Sequence, residues 1–71
     1  MAEQIRKALA ILRLNQVKTR TGLSRSTLYA KISKGEFPAQ VSLGKRAVGF
    51  VENEVEQWIE RQIERSRKAA A

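Results

Sequence analysis

The 71-residue chain contains no cysteine, no histidine and no aspartate, so several kinds of chemistry have no side chains to carry them. Without cysteine or histidine there is no disulfide, no usual zinc site, and no thiol or imidazole catalysis. Seven glutamates are the only acidic side chains, in a chain too short to enclose a deep pocket. The sequence therefore predicts no enzyme, no metal site and no cofactor.

Long apolar runs are also missing. No stretch is long enough to span a membrane, and the first residues lack the apolar region of a signal peptide. The absence of cysteine fits a reducing compartment. We therefore expect a soluble cytoplasmic protein with no membrane partner, and 71 residues allow one domain with a modest core.

Positive charge, by contrast, is abundant, and its placement is uneven. Of the net charge of +7, the excess lies in residues 13–51, which carry eight basic side chains against Glu36 alone. Residues 52–71 carry four basic and five acidic side chains. Such a concentration is typical of a surface that binds the phosphates of a nucleic acid. An acidic protein partner or a membrane surface could also use it.

The stretch TGLSRSTLYAKISKGEFP has the signals of a turn followed by a short helix. Gly22 permits a tight bend, and Ser24 is a strong N-cap candidate. Gly35 suits the position just after a helix, and Pro38 prevents the helix from resuming. The pattern predicts a helix over residues 25–34, the second helix of a helix-turn-helix.

The two sides of this predicted helix differ in a way that bears on function. Leu28 and Ile32 fall on one side, which we expect to face the core. Ser26, Ala30 and Ser33 form the other side, called here the outer face, which is short-chained and uncharged. Thr27, Lys31 and Lys34 flank it. A surface with a low centre and cations at its margins suits close approach to the major groove of DNA, although a plain surface helix remains the alternative.

The preceding residues predict the first helix of the unit. Asn15 is placed to cap a helix that starts at Gln16, and Val17 faces inward. Lys18 and Arg20 lie on the outer side, where the first helix of such a unit crosses the DNA backbone. Taken singly, either cation is equally consistent with an ordinary solvated side chain.

After Pro38 the period changes to that of strands. Two short apolar runs, residues 41–43 and 48–51, surround the polar loop GKRA and predict a β-hairpin. Gly49 in the second run indicates either a bulge or a close backbone approach. Lys45 and Arg46 at the hairpin tip resemble the wing of a winged helix, where they would reach phosphates or the minor groove.

A terminal amphipathic helix completes the chain. Asn53 with Glu56 three residues later has the form of a capping box. Trp58 is predicted to anchor the core rather than to stack on bases, because it shares a stripe with aliphatic residues. Its expected neighbours are Leu28, Ile32 and Phe50.

The predicted fold class is therefore mainly α with a small β-hairpin, a winged helix-turn-helix. Its domain spans residues 11–65, between an N-terminal arm or short helix over residues 1–10 and a tail over residues 66–71. The helical option for the arm rests on apolar residues at helical spacing up to Leu12.

These parts, in this order, resemble one known family. The chain resembles prophage AlpA-type regulators, which are related to phage excisionases and MerR-type winged helix-turn-helix proteins. The resemblance covers roughly residues 11–60 and is carried by the segments RLNQV, TGLSRSTLY, ISKGEFP, VSLGKRAVGF and EVEQWI. The resemblance implies a transcriptional activator or repressor of a mobile element. The residues it puts at the DNA surface are Ser24, Arg25, Ser26, Thr27 and Tyr29, with Lys45 and Arg46 on the wing. The chain departs from the family at Phe50, where tryptophan is frequent, and at Asn53, where serine is usual.

Double-stranded DNA is the expected partner. Arg25 at the helix N-terminus is the best candidate for a bidentate guanine contact, while Ser26 and Thr27 would read base edges or thymine methyls. The Tyr29 hydroxyl would reach a phosphate. The cations expected to neutralise phosphates are Lys18, Arg20, Lys34, Lys45 and Arg46.

Some alternatives stay open from the residues alone. The same fold and side chains would serve an excisionase-type factor that bends DNA at a recombination site, and less readily a basic protein-interaction module. Because one copy reads few base pairs, we expect either a homodimer or a cooperative assembly on DNA. The operator sequence and the sign of regulation are not encoded in any motif.

Overall fold

The computed structural model describes residues 9–70 and shows a mainly helical chain with a small sheet. The strands form one antiparallel sheet in the order β1-β3-β2. The elements in chain order are β1 (Ile11–Leu12), α1 (Leu14–Thr21), α2 (Arg25–Ser33), β2 (Val41–Ser42), β3 (Val48–Val51) and α3 (Glu52–Ala70). The predicted class, a winged helix-turn-helix, is confirmed. The predicted N-terminal arm lies outside the described residues except for residues 9–10, and residues 66–70 of the predicted tail continue α3.

Helix α1 begins two residues earlier than predicted, so the expected Asn15 cap is wrong. The N-cap is Arg13, and its backbone N–H donates to the side-chain oxygen of Gln16 at 2.8 Å. The long Gln16 side chain reaches back one turn and satisfies an amide that has no partner within the helix. At the other end Gly22 adopts a positive φ of 73°, and its N–H donates to the carbonyl of Lys18 at 2.8 Å, as the predicted turn requires.

Helix α2 begins where predicted and ends one residue earlier, at Ser33. The Ser24 hydroxyl accepts a hydrogen bond from the backbone N–H of Thr27 at 3.2 Å, which confirms the cap. Past the helix, Gly35 has a φ of 75°, and the N–H groups of Gly35 and Glu36 donate to carbonyls of the last turn at 3.0 and 2.8 Å. This pair of bonds is a Schellman motif, which stops the helix and redirects the chain.

The predicted hairpin is present and regular. Strands β2 and β3 pair with Val41 opposite Gly49, and the N–H of Leu43 donates to the carbonyl of Ala47 at 2.7 Å to close the loop. Of the two interpretations of Gly49, close approach is the one observed. A Cβ there would collide with Cγ2 of Ile11 and lie 3.1 Å from the carbonyl oxygen of Leu12. The glycine therefore lets β1 lie tightly against β3.

Strand β1 itself was not predicted. Ile11 lies opposite Val51 and Leu12 opposite Phe50, so Leu12 belongs to a strand and not to a helix. The backbone N–H of Glu52 donates to the carbonyl of Ala10 at 2.9 Å and extends this pairing. A two-residue strand has too short a pattern to be distinguished from a helical repeat by spacing alone.

Helix α3 follows β3 directly. It starts at Glu52, which puts Asn53 inside the first turn, so the predicted capping box is wrong. The carboxylates of Glu52 and Glu54 lie near the positive end of the helix dipole, which favours this helix start.

The core lies between the sheet and the three helices. Trp58 is buried as predicted, and its indole N–H donates to the carbonyl of Glu36 at 2.7 Å. Phe37, which the sequence analysis did not place in the core, packs edge-on against Trp58 with ring centroids 4.8 Å apart. This contact brings the link after α2 against α3. The buried apolar residues are Leu12, Val17, Leu28, Phe37, Phe50, Val55 and Trp58, with Leu14, Leu23, Ile32 and Ile59 partly buried against them.

Candidate nucleic-acid interface

The outer face of α2 is open to solvent. Ser26, Ala30 and Ser33 are all exposed, whereas Leu28 on the opposite side is completely buried. Ile32 is half-buried and packs against the core on the same side of the helix as Leu28. The helix is therefore held by its apolar side while its short, uncharged side faces outward, the arrangement expected from the sequence.

The start of α2 is tied together by its own side chains. Besides accepting the N–H of Thr27, the Ser24 hydroxyl donates to the Thr27 hydroxyl at 2.9 Å. Both residues are exposed. The Thr27 hydroxyl keeps its own proton available, so it can still donate to a base edge or a phosphate.

Arg25 and Tyr29 are brought together one turn apart on α2. The guanidinium carbon of Arg25 lies over the Tyr29 ring, 5.7 Å from its centroid. Arg25 is exposed, whereas Tyr29 is half-buried against the domain. At this distance a guanidinium and an aromatic face attract each other.

The predicted DNA-binding cations differ in their surroundings. Arg20 forms an ion pair with Glu52 at 2.8 Å and a longer one with Glu56 at 3.8 Å. Lys31 lies 3.9 Å from the carboxylate of Glu36. A phosphate would compete with these carboxylates for Arg20 and Lys31. Of the other predicted cations of the helix-turn-helix, Lys34 is exposed and Lys18 is half-buried.

The wing, defined here as residues 43–47, presents two cations at the hairpin tip. Lys45 and Arg46 are both exposed. Ser42 donates from its hydroxyl to the carbonyl of Gly44 at 3.2 Å, which helps to order the loop. Within residues 9–70, no hydrogen bond or ion pair joins the wing cations to the predicted residues of α1 and α2.

The candidate surface also includes two polar residues of α1, and the sequence analysis did not single out either of them for binding. Asn15 and Thr19 line an open depression of about 470 Å³ at the start of α2, next to Lys18 and Ser24. Thr19 donates to the carbonyl of Asn15 at 3.0 Å, so both lie on one side of the helix. Their spacing of four residues was the signal that could have found them.

Metal-ligand groups and membrane-spanning helices are both absent from the part of the chain that the structure describes. Residues 9–70 include no group of three or more His, Cys, Asp or Glu side chains arranged to hold a metal ion. None of the helices in this range has the length and apolar character needed to cross a membrane.

The part of the sequence that forms most of this architecture is similar to known proteins. A family model described as prophage CP4-57 regulatory protein (AlpA) matches residues 10–63, which take in every element from β1 to the middle of α3. ORF88 of Enterobacteria phage P4, an uncharacterized protein, is 52% identical over 48 residues, which are 68% of this chain and 54% of that protein. The chain thus spans about half the length of the phage relative.

A second relative is matched over nearly its whole length. It is the DNA-binding transcriptional activator AlpA of Escherichia coli, 35% identical over 60 residues, which cover 76% of this chain and 86% of the relative. Since the family model covers more than half of the chain and the winged helix-turn-helix lies within it, the chain belongs to the prophage CP4-57 regulatory protein (AlpA) family.

Proposed function

We propose that this protein is a transcriptional regulator that binds double-stranded DNA sequence-specifically, with α2 in the major groove and the wing on the backbone or in the minor groove. The observation that carries the proposal is the exposed, short-chained outer face of α2 above a buried Leu28. The Escherichia coli relative, named a DNA-binding transcriptional activator, supports the same function. Since its ligand is genomic DNA, the protein would act in the cytoplasm.

The dimensions of the helix favour this docking mode. An α-helix with its side chains is about 10–12 Å across, and the major groove of B-DNA is about 12 Å wide. Long side chains along the outer face would hold the helix away from the base edges. Ser26, Ala30 and Ser33 are short enough for close approach.

Electrostatics supports a polyanionic ligand. Residues 13–51 carry eight basic side chains and one acidic side chain, and α1, α2 and the wing all fall in this range. Each phosphate that a cation neutralises releases counterions, which makes binding strongly salt-dependent. Lys18, Lys34, Lys45 and Arg46 are the cations proposed to make these contacts. Arg20 and Lys31 would join them by exchanging a carboxylate partner for a phosphate.

Base recognition is assigned to the first turn of α2. Arg25 projects from the helix N-terminus and is proposed to donate two hydrogen bonds to the O6 and N7 atoms of a guanine. Ser26 and Thr27 would contact neighbouring base edges or a thymine methyl. Ser24, fixed by its bonds to Thr27, lies beside them at the DNA surface.

The proposal is tested by selection from a random pool of DNA duplexes, followed by fluorescence-anisotropy titration of the enriched duplex at several salt concentrations. We expect an enriched sequence motif, tighter binding than to a shuffled duplex, and a steep loss of affinity with salt. A pool that stays random, or binding that does not change with salt, would contradict the proposal. Absence of salt-sensitive DNA binding would instead favour the interaction-module alternative, in which the basic face docks on an acidic protein.

A further inference from the structure

The contact between Arg25 and Tyr29 suggests how the chain prepares its base-reading arginine. The guanidinium carbon lies 5.7 Å from the centroid of the ring, one helical turn away. We propose that the Tyr29 ring positions the Arg25 guanidinium for base readout, so that Tyr29 determines specificity without itself touching the base. This inference rests on the proposed function, because Arg25 reads a base only if α2 enters the groove.

Tyr29 is suited to be the fixed member of the pair. It is half-buried, whereas Arg25 is exposed. A side chain in a helix points back towards the N-terminus, so the ring at position 29 covers the turn that carries position 25. The Ser24 cap and the buried Leu28 hold the helix backbone before and after Arg25. The ring therefore offers a platform whose place is set by the domain.

The contact leaves the hydrogen-bonding groups of Arg25 available. An aromatic face attracts the guanidinium through its charge and does not consume an N–H donor. Within the described part of the chain, no hydrogen bond or ion pair involves the Arg25 guanidinium, whereas that of Arg20 is paired with Glu52 at 2.8 Å. Arg25 is thus oriented by a contact that takes up none of its N–H donors, whereas Arg20 is oriented by carboxylates.

Orientation before binding has a direct consequence for affinity. A free arginine side chain samples many rotamers, and binding a base in one geometry costs that freedom. A guanidinium already restricted by the ring loses less conformational entropy when it binds a base. The benefit appears only where Arg25 makes its base contact, so it affects specificity more than general attraction to DNA.

This role requires the ring of Tyr29 and not its hydroxyl. The hydroxyl was expected from the sequence to reach a phosphate, and the two roles predict different outcomes for two substitutions. Tyr29→Phe keeps the ring and removes the hydroxyl. Tyr29→Leu removes both and keeps an apolar side chain in the half-buried site.

The first experiment uses the DNA duplex that the unsubstituted protein enriches, together with single-base variants of that duplex. The affinity for each duplex is measured for four protein variants: Tyr29→Phe, Tyr29→Leu, Arg25→Ala and the double variant Tyr29→Leu/Arg25→Ala. We expect Tyr29→Phe to keep the base preference of the unsubstituted protein. We expect Tyr29→Leu to bind about 2- to 5-fold more weakly, the worth of an exposed cation–π contact, and to lose preference at the base pair where Arg25→Ala loses it. In the Arg25→Ala background, Tyr29→Leu should have no further effect.

Three results would overturn the positioning role. One is Tyr29→Phe binding as weakly as Tyr29→Leu, which would assign the effect to the hydroxyl. Another is an effect of Tyr29→Leu that persists undiminished in the Arg25→Ala background. The third is an unchanged base preference in a folded Tyr29→Leu variant, with folding checked by circular dichroism.

A second measurement needs neither DNA nor the Leu variant. In the NMR spectrum of the free protein, the δ-methylene protons of Arg25 should be shifted upfield by the Tyr29 ring, and Tyr29→Phe should keep the shift. Sequence-specific DNA binding without this shift would overturn the positioning role alone. The shift without any enriched duplex would overturn the proposed function, and the base-reading role with it.

Discussion

At the scale of single residues, neighbouring side chains of α2 have different tasks. The Ser24 hydroxyl bonds both the N–H and the hydroxyl of Thr27 and so holds the helix start. Arg25, the next residue, has its guanidinium over Tyr29, and within residues 9–70 its N–H donors have no hydrogen-bond partner. Substitutions at adjacent positions should therefore separate stability from recognition.

Ser24→Ala should lower the free energy of unfolding. Loss of a serine N-cap costs about 0.5–2 kcal/mol, because an amide of the first turn loses its acceptor. Ser26→Ala is the matched control, since Ser26 is exposed on the outer face and alanine is a good helix former. Urea unfolding followed by the fluorescence of Trp58, the single tryptophan, measures both. Equal midpoints for the two variants would show that the cap adds no stability.

Arg25→Ala should weaken binding to the enriched duplex by about 1–3 kcal/mol, because a bidentate contact to guanine is lost. The preference at one base pair should relax, while binding to a shuffled duplex should change less. Titrations of single-base variants of the duplex measure this. If Arg25→Ala and the unsubstituted protein gave the same affinities on the enriched duplex, Arg25 would read no base.

At the scale of elements, strand pairing and the buried core hold the helix-turn-helix against the terminal helix, and Arg20 adds partly exposed ion pairs. Arg20 at the end of α1 pairs with Glu52 and Glu56 on α3. Strand β1 pairs with β3, which leads directly into α3. The close fit of β1 on β3 depends on Gly49.

Gly49→Ala should destabilise the protein. The added Cβ would collide with Ile11 and lie 3.1 Å from the carbonyl oxygen of Leu12 and 3.2 Å from Cδ1 of Leu43. Overpacking of this kind costs about 1–3 kcal/mol, while alanine regains about 0.5–1 kcal/mol over glycine within a strand. The net loss of unfolding free energy should therefore be at most about 2.5 kcal/mol.

Gly44→Ala is the control for this substitution, because a Cβ at Gly44 meets no atom within 4 Å. Urea unfolding of both variants gives the comparison. A Gly49→Ala variant as stable as Gly44→Ala would mean that β1 does not need the close approach.

The wing should contribute attraction without sequence preference. Lys45→Ala is expected to weaken binding to enriched and shuffled duplexes alike, and to reduce the slope of log affinity against log salt by about 1. Lys68→Ala removes the same charge from the far end of α3 and should leave the slope unchanged. A larger loss on the enriched duplex than on the shuffled one would instead assign base recognition to the wing.

At the scale of the whole molecule, the small size of the domain limits how much sequence one copy can read. One recognition helix contacts only a few base pairs, whereas useful specificity needs more. We therefore predict two or more copies on the enriched duplex, arranged as a dimer or as a cooperative assembly. Native mass spectrometry of the complex measures the stoichiometry. A single copy bound at full specificity would contradict this prediction.

Whether the bound DNA is bent distinguishes an excisionase-type factor from a regulator of transcription. An excisionase-type factor would bend its site, while a regulator of transcription need not. Gel mobility of the enriched motif placed at the centre and at the end of a longer duplex reports bending.

The sequence by itself determined the local features. Ser24, Gly22 and Gly35 act through groups within a few residues, so their roles in starting and ending helices could be predicted from spacing. The outward face of α2 and the hairpin around the wing also follow from periodicity over short windows. The Asn15 and Asn53 caps failed because a glutamine side chain and the preceding strand provided other helix starts.

Only the tertiary structure decided the contacts between distant segments. The pairing of β1 with β3 and the Arg20–Glu52 ion pair each join residues more than thirty positions apart. The burial of Phe37 against Trp58 likewise depends on how the chain turns after α2. No periodic pattern encodes such partners, because they are selected by the three-dimensional packing of the elements and not by spacing within one element.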